Sequence, residues 1–468
     1  MNHSTDSSSS SSSSSPVRIR IAVIGAGPCG ITAAKNVIES GLDDLVVFEK
    51  SDAIGGNWVY RSETQHSSVY ESAHTISSRY LSEYEDFPFP PDAPDYLPHK
   101  YLCRYFEQYA DRFHVTDKIR FHTEVLHAEP LDDGWKIQSR NTTTNETKTE
   151  QFAVLMVANG HHWDPRMPPT LTGFTGELLH SHSFKHNRPF RDKRVLVIGG
   201  GNSACDAAVE CSRVAQSTHL SMRRGHWFIP KFIFGIPTDV FHGGTVWIPV
   251  PRFLRDLISK FIIYLIQGSH RRLGLQTPSY GVLGGHVTIN SELAYALGHG
   301  AIIPKPGIQR VDGKNVFFRN GTSQEFDTII CATGYNISFP FFDKSFIDWK
   351  DATYVPLWRR MFHPTLRNLY FIGLFQPLGC IWPLADYQAM LACQEILGHY
   401  QRPRNMEAAI DCERRHPHHR FIEAPRHSTE VDYHQYRKEL LFEVGKCGKK
   451  PHRANAAAPL VDRTKQLV

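Results

Sequence analysis

Apolar residues along this chain fall into short runs that end at glycine-rich turns, unlike the alternating pattern of a sheet with one exposed face. The clearest run, Ile21–Ile24, leads into the turn 25–30, and residues 31–38 have the apolar spacing of a helix. A second run, Leu45–Phe48, follows that helix. Strands that are apolar on both faces and alternate with helices predict an α/β unit with a parallel sheet.

The same order returns later in the chain. Residues 194–198 form an apolar run that leads into the turn 199–204, and residues 218–222 predict the strand after the next helix. A proline-rich segment, 164–173, is a plausible linker between the two units. Between the first turn and this linker, the pattern predicts one helix and three strands: 101–113, 119–127, 134–139 and 152–158.

A further apolar run, 327–335, predicts that the chain returns to the first unit, which 368–373 and 376–388 then complete. The predicted fold is therefore α/β, with two Rossmann-like dinucleotide-binding domains, the second inserted into the first. The predicted segments are a disordered serine-rich tail, the first domain's first part, the second domain with a helical insert, the first domain's second part and a flexible basic tail: 1–16, 17–165, 166–325, 326–444 and 445–468.

The turn 25–30 has the glycine spacing of a dinucleotide-binding fingerprint. One glycine permits the tight turn, one lets the backbone approach a pyrophosphate, and one allows close packing of helix on strand. Glu49 ends the next strand, where an acid that binds ribose belongs. A glycine-rich turn without a ligand is the alternative, which this strand, helix and acid disfavour. The predicted contacts here are Gly25, Ala26, Gly27, Pro28, Cys29, Gly30 and Glu49.

The second turn ends in alanine instead of its third glycine, and its following strand leads to two arginines rather than to an acid. Guanidinium groups attract the 2′-phosphate of NADPH, which an acid would repel, so this unit is predicted to bind NADPH in preference to NADH. A solvated surface position is the alternative for both arginines. The predicted contacts are Gly199, Gly201, Asn202, Ser203, Arg223 and Arg224.

Composition and charge narrow the classes further. The 468 residues, 41% hydrophobic, are enough for two or three domains, and a net charge of +5 is too mild to indicate nucleic-acid binding. The nine cysteines are scattered without Cys-x-x-Cys pairs, which predicts a reducing, cytoplasmic compartment and no redox-active disulfide or zinc site. The cluster 414–419 is rich in histidine but broken by Pro417, so a solvated face is favoured over a metal site.

Between the two turns, residues 174–185 read Phe-Thr-Gly-Glu-Leu-Leu-His-Ser-His-Ser-Phe-Lys. This segment resembles the Phe-x-Gly-x-x-x-His-x-x-x-Phe-Lys signature of the flavin-containing monooxygenases. The similarity continues over nearly the whole chain, through Glu49, Gly56-Asn57-Trp58, Gly201-Asn202-Ser203, the stretch 228–239, Ala332-Thr-Gly-Tyr335 and Gly373-Leu-Phe-Gln-Pro377.

The resemblance implies an FAD-containing, NADPH-dependent monooxygenase that oxygenates soft nitrogen or sulfur atoms of small molecules with O2, through a C4a-hydroperoxyflavin. It makes the first domain the FAD-binding one and adds Gly56, Asn57, Trp58, Ser77 and Gln376 to the FAD contacts. Related Baeyer–Villiger enzymes end the signature in Trp-Pro, so Phe184-Lys185 favours heteroatom oxygenation over ketone oxygenation. An uncoupled NADPH oxidase or a redox-sensing binding protein is the third alternative.

One element departs from the family pattern. Where relatives place asparagine against the flavin, this chain has Ile76, which cannot form a hydrogen bond. Neighbouring Thr75, Ser77 and Ser78 are the remaining flavin-proximal candidates, with Thr75 also expected at NADPH. The departure predicts more uncoupled peroxide than in relatives with asparagine. His180 is interpreted as a structural residue, and neither a catalytic triad nor a metal is expected.

The segment 252–267 has the pattern of an amphipathic helix. Basic residues surround a stripe of Leu254, Leu257, Ile258, Phe261 and Leu265. Packing on the nicotinamide domain, or a homodimer contact, is slightly favoured over an interfacial helix on a membrane. No apolar stretch reaches the roughly twenty residues of a spanning helix, so a cytoplasmic protein with at most peripheral membrane contact is predicted.

Overall fold

This computed structural model of the chain describes residues 19–63, 66–245, 250–282, 284–285, 287–350, 352–417 and 428–447. The serine-rich segment 1–16, nearly all of the basic segment 445–468, and two members of the histidine cluster, His418 and His419, lie outside the described residues. The helices of the described residues are α1 (Pro28–Glu39), α2 (Arg79–Ser82), α3 (His99–Arg112), α4 (Asn202–Ser212), α5 (Thr238–Thr245), α6 (Arg252–Gln267), α7 (Glu292–Gly298), α8 (Trp382–Ile396), α9 (Met406–Arg415) and α10 (Tyr433–Gly445).

The first unit is built on a five-stranded parallel sheet. Its strands, in spatial order, are β22 (Leu369–Phe371), β7 (Val154–Val157), β1 (Ile21–Ile24), β2 (Leu45–Phe48) and β3 (Ile119–Arg120). The four strands other than β3 are buried along their whole length. Helices α1, α3 and α8 cover one face, and the antiparallel meander β4 (Thr123–Leu131), β5 (Gly134–Asn141) and β6 (Thr147–Phe152) packs on the other. Burial on both faces explains why these strands are apolar throughout.

The second unit repeats this plan. Its parallel strands, in spatial order, are β16 (Ile302–Lys305), β11 (Ser217–Ser221), β10 (Arg194–Ile198), β20 (Thr328–Cys331) and β9 (Glu177–His180). A second antiparallel meander, β17 (Ile308–Asp312), β18 (Asn315–Phe318) and β19 (Ser323–Glu325), precedes β20. Helices α4 and α7 pack with this sheet.

The strand β20 corrects the expected return of the chain to the first unit at residue 326. It pairs in parallel with β10 along Val195–Ile198 and with β9 on its other side, so it belongs to the second sheet. The chain rejoins the first sheet only at β22. Apolar character alone cannot assign a buried strand to one of two similar sheets, because it carries no information about the hydrogen-bonding neighbour.

Two predicted strands are broken where the backbone turns. The segment 119–127 divides into β3 and β4 because His122 has the left-handed φ of 50°. The segment 152–158 is shared between the end of β6 and the strand β7. Within the linker 164–173, β8 (Asp164–Pro165) pairs with β21 (Tyr335–Asn336), which joins the two crossings between the units.

The segment between β11 and β16 forms a small subdomain of its own. It holds α5 and α6 together with short pairs of strands: β12 (Phe228–Ile229) with β15 (Thr288–Ile289), and β13 (Phe232–Ile233) with β14 (Ile236–Pro237). Its core is a separate apolar cluster that includes Trp227, Ile233, Ile263 and Val282. The last short pair, β23 (Gln376–Pro377) with β24 (Glu430–Val431), brings the C-terminal segment beside the first unit.

Candidate functional site

The first glycine turn has the geometry that its spacing predicts. Gly25 has φ +102°, and a Cβ there would lie 2.7 Å from the carbonyl oxygen of Ala158, at the end of β7. A Cβ on Gly30 would overlap the carbonyl oxygen of Gly25. Helix α1 begins at Pro28, and its N-cap Gly27 makes no side-chain capping bond, which leaves the helix N-terminus open to an anion.

Gly27 and Gly56 face each other across a narrow space. A Cβ on Gly27 would lie 3.6 Å from the Cα of Gly56, an ordinary contact, so the glycine is not required by the protein's own packing. A bound ligand explains the glycine at this position instead, because a pyrophosphate can approach the backbone closely only where there is no side chain.

Glu49 lies at the end of β2 and is buried. Its Oε2 accepts a hydrogen bond from the Ala26 N–H at 2.8 Å, and its Oε1 accepts bonds from the N–H and hydroxyl of Ser51. These bonds fix the carboxylate against the glycine turn. Oε2 accepts only one of these three bonds and so keeps an acceptor site, which fits the predicted ribose contact.

Asn57 and Trp58 follow directly after Gly56. The Asn57 Oδ1 accepts bonds from the N–H and the hydroxyl of Ser68, at 2.7 and 2.8 Å, and no described residue pairs with its amide nitrogen. The Trp58 ring packs edge-on against Trp382, 5.9 Å between centroids. Gln376 lies within reach of His161, with its Oε1 3.4 Å from the His161 Nε2.

The second turn repeats the backbone geometry of the first. Gly199 has φ +141°, and a Cβ there would overlap the carbonyl oxygen of Ala332, which follows β20. Helix α4 begins at Asn202, and its N-cap Gly201 also makes no side-chain capping bond. Ser203 is exposed in the first turn of this helix. The Asn202 Oδ1 accepts the Ile289 N–H at 2.7 Å, which holds the small subdomain against the turn.

Arg223 and Arg224 lie just beyond β11, whose last residue Ser221 accepts the N–H of Gly199 at 3.0 Å. Both arginines are exposed, and no described carboxylate forms an ion pair with either of them. Two unpaired guanidinium groups beside an open helix N-terminus are an arrangement that a 2′-phosphate would fit.

The predicted flavin-proximal residues separate into two groups. Thr75 is buried, and its hydroxyl accepts the Leu97 N–H at 2.9 Å; its contact with NADPH stays a prediction. Ile76 and Ser77 line an apolar cavity, described below, and the Ser77 hydroxyl bonds to that of Ser82 at 2.8 Å. The Ser78 hydroxyl is buried without a partner among the described residues.

The cavity measures about 980 Å³, part of it open to solvent. The loop residues Ile76 and Ser77 and the segment Pro377, Leu378 and Gly379 form one side, and the small subdomain forms the other. The apolar side chains that the subdomain contributes are Ile229, Ile233, Phe241, Ile262, Ile263, Val282, Val287 and Ile289. Such walls exclude water from whatever occupies the cavity.

Few polar groups interrupt these walls. Thr238, Asp239, His242 and Ser259 are the polar side chains that the subdomain contributes. Asp239 is the last residue of the stretch 228–239, and the sequence predicts no role for it. The sequence feature that could have indicated a role is a single acid at the end of a largely apolar segment. Its position in the cavity, however, depends on how the chain folds.

The signature segment joins the two units. The Nζ of Lys185, a buried side chain, donates to the carbonyl oxygens of Ser67 and Val69, and burial lowers the pKa of its ammonium to about 8. The Tyr70 hydroxyl donates to Asp206 of α4 at 2.5 Å. Because Ser68 in turn holds Asn57, the signature fixes a predicted FAD contact from the other unit.

The surroundings of His180 support the interpretation that it is a structural residue. It is buried beside Tyr335, 5.1 Å between ring centroids, and its Nδ1 accepts the His182 N–H at 3.1 Å. Burial lowers the pKa of His180 to about 4, so the ring is neutral at physiological pH. Of the histidine cluster, residues 414–417 are exposed at the end of α9.

The residues present fit two dinucleotides. Each parallel sheet ends at a glycine turn with an uncapped helix N-terminus, an acid stands beside the first turn, and two arginines stand beside the second. All nine cysteines are free thiols, and no group of His, Cys, Asp and Glu suited to a metal occurs among the described residues.

Comparisons with known proteins point the same way. The family model described as flavin-binding monooxygenase-like matches residues 18–454. Flavin-containing monooxygenase 5 of Rattus norvegicus is 32% identical over 446 residues, covering 91% of this chain and 83% of that protein. Dimethylaniline monooxygenase [N-oxide-forming] 2 of Oryctolagus cuniculus is 31% identical over 453 residues, covering 91% and 82%.

The fold also matches a solved structure. The S-allyl-L-cysteine S-oxygenase from Allium sativum superposes with a TM-score of 0.68 at 21% identity, covering 91% of this chain and 88% of that one. At this identity the likeness concerns the fold.

Proposed function

This chain belongs to the flavin-binding monooxygenase-like family, and on that premise we propose that it oxygenates a soft nitrogen or sulfur atom of a small molecule. The protein is an FAD-containing, NADPH-dependent monooxygenase. The reaction consumes NADPH, a proton, O2 and the substrate, and it releases NADP⁺, water and the oxygenated substrate. The bound flavin and nicotinamide supply the electron transfer and the oxygen activation.

The protein's part is to bind, orient and keep water away. The first turn, with Gly25, Gly27, Gly30 and Glu49, would hold FAD, and the second turn with Arg223 and Arg224 would hold NADPH. The observation that carries the proposal is the pairing of these two turns with an apolar cavity beside Ile76 and Ser77. The aliphatic walls exclude water, which would otherwise divert reduced oxygen to hydrogen peroxide.

Nitrogen or sulfur oxygenation is favoured over ketone oxygenation on two grounds. The signature ends in Phe184-Lys185 rather than Trp-Pro, and one close relative is named for N-oxide formation. Oxygen uptake separates the alternatives. An enzyme that oxygenates nitrogen or sulfur consumes O2 faster when an amine or thioether is added, and a Baeyer–Villiger enzyme consumes it faster when a ketone is added. An oxidase consumes O2 at the same rate with or without any of these compounds. Equal uptake in every case, with all oxygen recovered as peroxide, would overturn the proposal.

Ile76 sets how well oxygenation is coupled to NADPH use. It lines the cavity without any hydrogen-bonding group, and the buried hydroxyl of Ser78 has no partner among the described residues. We expect Ile76→Asn to lower the peroxide released per NADPH consumed, with Ile76→Val as the control that keeps the wall apolar. An unchanged peroxide yield in Ile76→Asn would mean that a neighbouring hydroxyl already supplies the missing contact.

A membrane surface is the contact that we propose for α6. The predicted stripe does not pack on the nicotinamide domain: Leu257, Phe261 and Leu265 are about 60% exposed, while Ile262 and Ile263 on another face line the cavity. In the same subdomain, the turn of the β13–β14 hairpin exposes Phe234, which is 70% exposed. Arg271 and Arg272, which follow α6 in the sequence, are exposed, and their charge favours anionic lipid headgroups.

Sedimentation with vesicles tests this contact. We expect the protein to bind phosphatidylserine-containing vesicles at low salt and less at high salt, and Leu257→Glu/Phe261→Glu to abolish binding. No binding by the native protein would remove the membrane proposal, and a concentration-dependent dimer lost in the same variant would assign the face to a second copy instead. No helix among the described residues is long and apolar enough to cross a membrane.

A further inference from the structure

Asp239 is an isolated negative charge in the wall of an apolar cavity. Of the residues described around that cavity, it is the one carboxylate, and no described lysine or arginine forms an ion pair with it. Its Oδ2 accepts the Ser78 N–H at 2.6 Å, and its Oδ1 accepts the Val240 N–H at 2.9 Å. These two backbone bonds orient the carboxylate, and among the described residues no lysine or arginine compensates its charge.

The titratable groups near Asp239 include two histidines and a tyrosine. His242, one turn later on α5, also lines the cavity, and its ring lies 6.3 Å from that of His434. Burial lowers the pKa of His434, which keeps this ring neutral at physiological pH although Asp239 acts against the shift. Tyr96 donates its hydroxyl proton to the carbonyl oxygen of Lys231 and is itself no cation.

We propose that Asp239 is a specificity-determining residue that pairs with a cationic nitrogen of the substrate, a refinement that rests on the proposed function. A carboxylate attracts a cation more strongly beside apolar walls than in water, since the effective dielectric constant there is lower. Part of this attraction is offset by the cost of removing the cation from water, so the net preference is moderate.

The substrate atom that accepts oxygen must have a lone pair, and this restricts the substrates that fit. A protonated or quaternary nitrogen has no lone pair, so the atom that pairs with Asp239 cannot be the atom that accepts oxygen. The substrate therefore carries two groups: a positive charge at Asp239 and, separated from it, a soft thioether sulfur or a neutral tertiary amine. The volume of about 980 Å³ leaves space for both groups and an apolar spacer between them.

Two matched thioethers test this inference. One carries a trimethylammonium group three carbons from sulfur, and the other carries a tert-butyl group of the same shape at that place. Neither probe changes its charge with pH. Binding is measured by isothermal titration calorimetry with the FAD-loaded protein and NADP⁺, so the readout does not depend on turnover. Sulfoxide formation from both probes is measured in parallel.

We expect the native protein to bind the cationic thioether about tenfold more tightly than its neutral isostere. Asp239→Asn should abolish this difference, because the amide oxygen can still accept the Ser78 N–H while the charge is gone. A thioether with a sulfonate in place of the ammonium should bind more weakly than either probe. Affinity for the neutral thioether should change little in the variant.

Asp256→Asn is the matched control. Asp256 lies on α6, accepts a backbone N–H from Val282 at the same distance of 2.6 Å, and is already paired with Lys260 at 2.7 Å outside the cavity lining. Its replacement should leave the tenfold preference intact. Equal affinity of the native protein for the two thioethers, or a preference that survives in Asp239→Asn, would overturn the inference.

Different results would refute the proposed function and the role of Asp239. If the cationic probe binds selectively but neither thioether is converted to sulfoxide, the role of Asp239 stands and heteroatom oxygenation does not. If the neutral probe is converted equally well by native protein and by Asp239→Asn, with no preference for the cation, oxygenation stands and the role of Asp239 is refuted.

Discussion

The two glycine-turn units share one architecture but differ in charge and in tightness of packing. Four strands have the same relative order in each parallel sheet, β7-β1-β2-β3 in the first and β20-β10-β11-β16 in the second, and an antiparallel meander precedes the strand whose end faces the turn. The fifth strand differs, because β22 comes after the other strands of its sheet along the chain and β9 comes before them. Even the ion pair at the start of the first strand recurs: Arg20 pairs with Glu150 of the first meander, and Arg194 with Glu325 of the second. Fold is therefore common to both units, and cofactor preference lies in a few side chains.

The third position of the fingerprint differs for a steric reason. In the first unit a Cβ on Gly30 would overlap the backbone of Gly25, whereas the second unit carries Ala204, whose Cβ would lie 3.1 Å from one placed on Gly199. The first helix thus approaches its turn more closely than the second. What differs in charge is the residue after the second strand, Glu49 in one unit and Arg223 with Arg224 in the other.

The largest expected effect comes from the third fingerprint position. Gly30→Ala should destabilise the protein by about 3 kcal/mol, because the new methyl group meets backbone that cannot move without separating helix from strand. Ala204→Gly, the reverse change in the second unit, should cost about 1–2 kcal/mol, through helix propensity and the loss of one buried methyl group. Urea unfolding of both variants measures this, and equal losses would mean that the two helices approach their turns equally closely.

Gly27→Val should weaken FAD binding by more than about tenfold, equivalent to ~1.4 kcal/mol, because the side chain occupies the approach of the pyrophosphate. The fold should persist, since a Cβ at Gly27 meets only ordinary contacts. Flavin absorbance of the purified protein and circular dichroism measure the two properties. Gly201→Val is the counterpart, expected to weaken NADPH binding and to leave FAD in place; a fully flavinylated Gly27→Val protein would contradict the assignment.

Arg223→Ala should raise the KM for NADPH more than about tenfold, since a charge-assisted contact to phosphate contributes about 1.5–3 kcal/mol. The KM for NADH should barely change, because NADH lacks the 2′-phosphate. Steady-state kinetics with both cofactors measures the ratio. If both KM values rise together, the arginine supports the turn's structure and does not select the cofactor.

The smallest effect concerns the ion pair that the units share. Arg120, Arg20 and Lys148 lower the pKa of Glu150 to about 2, although burial opposes the shift. Because the pKa of Glu150 is lower in the folded state, the ionised carboxylate stabilises the fold at any pH above the unfolded value of about 4.5. This contribution to the free energy of unfolding is lost as the pH falls toward 2. Allowing for solvent screening, Glu150→Gln should lower the free energy of unfolding by about 1–2 kcal/mol at pH 7 and flatten its decrease in acid.

Urea unfolding from pH 7 down to about pH 2 measures this last effect. Glu325→Gln is the counterpart in the second unit, where Arg194 lowers the pKa of an exposed carboxyl, so a smaller change is expected. A larger loss in Glu325→Gln than in Glu150→Gln would reverse the comparison.

Features that depend on residues close together in the chain could be predicted from the sequence. Turn glycines, the strands that precede them, Glu49 and the arginine pair follow from spacing, because tight turns and anion-binding helix ends need particular residues at fixed intervals. The Rossmann-like fold class and the family were accessible for the same reason. The amphipathic pattern likewise placed α6 at residues 252–267, where the helix lies.

Tertiary structure alone decided what depends on partners distant in sequence. The strand β20 belongs to the second sheet because Val195–Ile198 and β9 are its neighbours, which no apolar pattern reveals. The Thr75 hydroxyl is bonded to the Leu97 N–H, and Asp239 reaches the cavity only because α5 packs beside Ser78. The stripe of α6 stayed exposed while Ile262 and Ile263 turned inward, since which apolar face is covered depends on the surfaces that folding brings against the helix.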